Sequence, residues 1–155
     1  NGERLRIRSD GGICFNGDTA AANALDDYEE GTWTPTVTSG TVTVATNSAN
    51  YTKVGRSVTA FCRILTFSDT TSGSSFAISG LPFTISVDGN DEGHVGDAWG
   101  QSMGDHRSLF FYSASGNITN VGSYYGGTTA TYNQVTYSNF DNNTNMLVKL
   151  HYFTT

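Results

Sequence analysis

Apolar and polar residues alternate along most of this chain, the pattern of strands with one buried face. It starts at Glu3 to Arg8, where Arg4, Arg6 and Arg8 fall on one side and Leu5 and Ile7 on the other. Ser9 to Gly12 supplies a turn, and Ile13 to Phe15 a short second strand closed by Asn16-Gly17. A lone hairpin of this size is marginal in water, so it must lean on a body or on copies of itself. The alanine-rich stretch Thr19 to Leu25 predicts a turn or two of helix, with Asp18 or Thr19 as cap. Asp26, Asp27, Glu29 and Glu30 then form an acidic run before the composition changes.

From Thr32 onward the pattern is β throughout. Val42 and Val44 alternate with threonines, Tyr51 to Val54 reads as a strand, and Gly55-Arg56 as a turn. Ser57 to Phe67 is the longest candidate. Val58, Ala60, Cys62 and Ile64 share one face and Phe61, Leu65 and Phe67 the other, which suits a central strand or a subunit contact. Further strands are predicted at Ser75 to Ser79, Phe83 to Val87, Ser108 to Ser113, Ala130 to Tyr137 and Met146 to Phe153. The span Asp88 to Arg107 is the least regular and predicts a long loop. Strands recurring about every ten residues imply an all-β fold, an antiparallel β-sandwich or jelly roll. Residues 1–31 read as a neck of short strand and helix, and residues 32–155 as the head.

Composition sharpens this. Thr, Ser, Asn and Gly supply 69 of 155 residues and Leu, Ile, Val and Phe only 32, close to the level of disordered chains. The modest net charge of −6, with 8 Tyr and 2 Trp, argues instead for a folded, threonine-rich β protein. Two lysines and six arginines against 14 carboxylates cannot neutralise a phosphate backbone, so nucleic acid is excluded as a partner. No apolar run approaches the ~20 residues of a membrane-spanning helix, so membrane insertion is not expected. Cys14 and Cys62 read as free thiols, because a chain this long needs no staple and Cys62 falls within an apolar strand pattern.

Candidate chemistry is sparse. His151 reads as a strand-surface histidine. His94 and His106 fall near Asp88, Asp91, Glu92, Asp97 and Asp105, and Asp88 to Gly93 resembles the start of a calcium loop. Trp99 stands where that loop needs its closing glutamate, so no metal and no other cofactor is expected. Nucleophile-elbow, zinc-protease and paired Cys-x-x-Cys spacings are absent, and no catalytic residue is expected. Aromatic residues say more. Rings beside short polar side chains suit a carbohydrate: the ring stacks on the apolar face of a sugar while the polar groups bond its hydroxyls. Trp99 with Asp97 is the leading pair, Asp105 and His106 are further polar contacts, and Tyr124 and Tyr125 offer a second face.

Four stretches share a resemblance. Glu3 to Ile13 resembles the segment that ends the shafts of bacteriophage tail fibres, and Phe15 to Pro35 the linker leading into a distal β domain of marine phage fibres or tailspikes. Tyr51 to Arg56 and Ile78 to Phe83 are similar to two signposts of that domain. Beyond about residue 84 the likeness stops. The resemblance implies a homotrimeric, non-enzymatic virion component that contacts a host-surface glycan, or else a trimerisation cap with no ligand. Independently of the resemblance, Arg4, Arg6 and Arg8 would repel along one face unless countered, so the acidic run Asp26, Asp27, Glu29 and Glu30 is expected to pair with them, within or between chains.

Overall fold

A computed structural model describes residues 2–86, 93–102, 108–113, 121–126 and 132–154 of the chain. The fold is all-β and antiparallel. A small sheet pairs β1 (Leu5–Ile7) with β2 (Ile13–Phe15). The large sheet holds β3 (Tyr28–Thr32), β4 (Thr36–Val37), β5 (Val42–Val44), β6 (Asn50–Val54), β7 (Ser57–Phe67) and β8 (Ala77–Ser79). It continues with β9 (Gly93–Gln101), β10 (Ser108–Ser113), β11 (Val121–Gly126), β12 (Tyr132–Gln134) and β13 (Asn145–Phe153). Its order is β3-β6-β7-β13-β9-β10-β11-β8-β4, with β5 sharing one edge of β7 and β12 pairing β11.

Alternation positions the core. In β7, Val58, Ala60, Cys62 and Ile64 are fully buried, and in β13 so are Met146, Val148 and Leu150. These residues form one apolar cluster with Phe76 and Ile78, on and beside β8, although β7 and β8 are far apart in the sheet. The sheet therefore folds back over itself. Phe76 sits at the centre of an aromatic knot, edge-on to Phe67, Tyr137 and Phe140, where edge-to-face rings are favoured. Tyr137 is buried whole, and its hydroxyl is held by the Ser39 amide and the Thr38 hydroxyl.

Several predicted elements change. Tyr137 lies not in a strand but in a 3-10 turn, Tyr137–Asn139, because Asn139 and Thr136 form a reciprocal cap that ends the extended run. Phe83 to Ser86 forms only an isolated bridge, Ile85 to Thr154, while Phe83 packs against Tyr51; Val87 lies outside the described residues. The predicted helix reduces to one 3-10 turn, Ala21–Asn23, with Asp18 accepting from the Ala20 amide. The predicted loop Asp88 to Arg107 contains the nine-residue strand β9. Gly96 and Gly100 made that stretch look irregular, but Val95 and Ala98 are buried in the core.

The acidic run does not pair with the arm's arginines inside the chain. Arg6 bonds Glu3 and Arg8 bonds Asp10, each a near neighbour, which satisfies two of the arm's three arginines locally. Asp27 instead meets the nearly buried ammonium of Lys53, which also stands 5.4 Å from the centroid of Phe83. Glu29 accepts from the Tyr51 hydroxyl, and Tyr51 meets Phe83 edge-on at 5.3 Å. Residues from the linker, from Tyr51 to Arg56 and from Ile78 to Phe83 thus converge on one junction. Gly80 belongs to it: its φ is +78°, and a Cβ there would lie 2.3 Å from the Thr34 carbonyl oxygen, so only glycine fits.

Candidate ligand-binding face

One side of β7, β13, β9 and β10 feeds the core, so the odd-numbered positions of β13 point the other way. Leu147, Lys149, His151 and Phe153 are all exposed. Register places their neighbours. Leu147 lies opposite Arg63 on β7 and opposite Trp99 on β9. Lys149 lies opposite Phe61 and Asp97, and Asp97 in turn lies opposite Phe110 of β10. Directly opposed side chains in a sheet are about 5 Å apart at Cβ, so these rows form a checkerboard of apolar and charged groups.

Trp99 is 53% exposed, a large fraction for a tryptophan on a regular strand. Asp97 precedes it by two residues and shares its face. The aliphatic Leu147 lies directly opposite Trp99 on the neighbouring strand. His151 is steadied by a 3.1 Å contact between its Nδ1 and the Thr59 hydroxyl. A shallow cavity of about 250 Å³ opens next to these groups, lined by Val95, Gly96, Asp97, Lys149 and His151. The β9–β10 register shifts between Phe111 and Tyr112, and this bulge lets Val95 and Gly96 line the hollow.

Trp99 and Asp97 are therefore brought together, but on a strand rather than a loop. Tyr124 and Tyr125 also belong to a strand, β11, where Tyr124 is in register with Phe110 and Tyr125 with Asn133. Asp105 and His106 lie outside the described residues, as do Asp88, Asp91 and Glu92 of the calcium-like stretch. Lys149, Leu147 and Phe110 were missed by sequence reasoning. The alternation of Met146 to Phe153 marks Leu147 and Lys149 as outward, but nothing local to it says that β9 is the neighbouring strand.

Compared with protein-family models, with curated proteins and with solved structures, the chain matches none. Its chemistry must be read from the face itself. Among the described residues no group of three or more His, Cys, Asp or Glu is arranged to hold a metal ion. What the face offers is a flat ring, a carboxylate and an ammonium at neighbouring positions of two paired strands.

Proposed function

We propose that this chain is the distal domain of a phage tail fibre or tailspike, a non-enzymatic component of the virion that binds a host-surface glycan. The head is a β-sandwich or jelly roll assembled as a homotrimer, with residues 1–31 as its neck. The observation that carries the reading is Trp99: an open indole on a strand, beside a carboxylate that can accept sugar hydroxyls. A preformed platform on a sheet costs little ordering when a sugar stacks on it. The convergence of Asp27, Lys53 and Phe83 supports the resemblance, since three of the four resembling stretches, all but Glu3 to Ile13, meet at one junction.

A second observation favours self-association. Leu5, Ile7 and Phe15 share one face of the arm hairpin, and all are exposed, Ile7 at 78%. A two-stranded sheet that turns its apolar face to water gains most from copies of itself. This contact alone suits the other reading, a trimerisation cap without a ligand.

Trp99→Ala separates the two. A ligand platform loses attachment to cells or to immobilised glycan by tenfold or more while the trimer sediments and melts like the parent. A subunit plug loses the trimer itself. Attachment unchanged in an intact trimer removes Trp99 from the site.

A further inference from the structure

The hollow lined by Asp97, Lys149 and His151 has a charge character that a neutral sugar does not use. Among the described residues the ion pairs are Arg6–Glu3, Arg8–Asp10 and Lys53–Asp27, which leaves Lys149 unpaired although Asp97 stands opposite it in register. Arg63, on the same face, donates to the neutral side chain of Asn145 and not to a carboxylate. Asp97 is the only carboxylate among the described residues of β7, β9, β10 and β13. The face thus carries two cations and an imidazole against one anion, in a chain of net charge −6.

Resting on the glycan reading above, we infer that the hollow takes an acidic sugar, one bearing a carboxylate, sulfate or phosphate. Trp99 stacks on the ring, Asp97 accepts a hydroxyl, and Lys149 donates to the acid group with His151 beside it. Lys149 is diagonal to Trp99 across the β13–β9 pair, a separation of about 7 Å at Cα, which the long lysine side chain can span towards an acid group on a ring stacked over the indole. An overall acidic protein repels acidic polymers, so a local cationic spot determines where along such a polymer it can dock. Charged hydrogen bonds to the Lys149 ammonium add selectivity of about tenfold or more.

The test uses the intact trimer on an array in which every acidic glycan is printed beside its carboxyl-reduced, desulfated or dephosphorylated form. Binding is expected to the acidic member of at least one pair, falling tenfold or more on its neutral partner. Lys149→Met, an exposed substitution, should erase that difference while the trimer melts normally, and the pair that responds identifies the acid group. Equal binding to both members of every pair, or a Lys149→Met protein with unchanged preference, overturns the acidic-sugar inference and leaves glycan binding standing. Binding to no member by an intact trimer overturns both.

Discussion

Tyr152 and Cys62 are acids that the core holds in their neutral forms. Burial pushes the Tyr152 hydroxyl and the Cys62 thiol up to about 12, from ordinary values of 10.0 and 9.0. The folded chain keeps both protons more tightly than the unfolded one. Their contribution to stability is therefore complete below pH 9 and is lost as pH rises from 9 to 12, with a slope of up to about 1.4 kcal/mol per pH unit for each group. Urea titrations across this range should show a falling alkaline limb, and Tyr152→Phe and Cys62→Ala should each flatten it. Among the described residues the Tyr152 hydroxyl, beside the Phe83 backbone, has no well-formed hydrogen bond, so Tyr152→Phe should keep or raise stability at pH 7 by about 1 kcal/mol. Core residues such as Cys62 and Val148 were legible in the sequence because period-two alternation fixes a residue's face. Trp99 was legible as a residue type. Its cross-strand neighbours were not, since Lys149 lies fifty positions away and reaches Asp97 only through pairing.

The junction between arm and sheet depends on few contacts. Asp27 bonds Lys53 from the segment just ahead of β3, and its carbonyl accepts from the Gly55 amide. Asp27→Asn leaves the Lys53 ammonium, whose side chain is only 11% exposed, without its counter-charge over the Phe83 ring. The expected cost is about 1–3 kcal/mol, less than for a fully buried pair because Asp27 is half exposed. Lys53→Met, which removes the charge and keeps the volume, should cost less; denaturant unfolding of both variants checks the order. Strands with clean alternation were legible, β13 throughout and β7 as far as Ile64; beyond it the register against β5 shifts, and Phe67, predicted on the face opposite Val58 to Ile64, is buried in the same core cluster as they are. β9 was not, because its glycines mimic a loop while Gly96 and Gly100 are buried in the sheet, Gly96 so tightly that a Cβ would lie 2.2 Å from the Lys149 carbonyl oxygen. Phe83 to Ser86 erred in the other direction: a stretch whose one ring, Phe83, packs on Tyr51 and Lys53 needs no ladder of its own.

For the molecule as a whole, strand order matters more than strand identity, and order is the level at which alternation is silent. Alternation shows that β13 has a wet face and a dry one, but its place between β7 and β9 is set by closure of one core around Phe76. That place has a consequence for synthesis and for dissection. The central slot of the sheet is filled by residues made after all its other strands, so a growing chain carries β7 and β9 with open edges until 145–153 emerge. Open edges recruit other strands, including those of neighbouring nascent chains. The same slot makes the molecule divisible: a chain ending at residue 144 should be poorly soluble alone, and a synthetic peptide covering 143–155 should restore it by docking along both edges. Co-refolding of the two pieces, read by solubility and by near-ultraviolet circular dichroism of the buried aromatics, checks this. Such a two-piece assembly would let chemical labels be placed beside Lys149 and His151 through the peptide alone, on a face otherwise built by the rest of the chain.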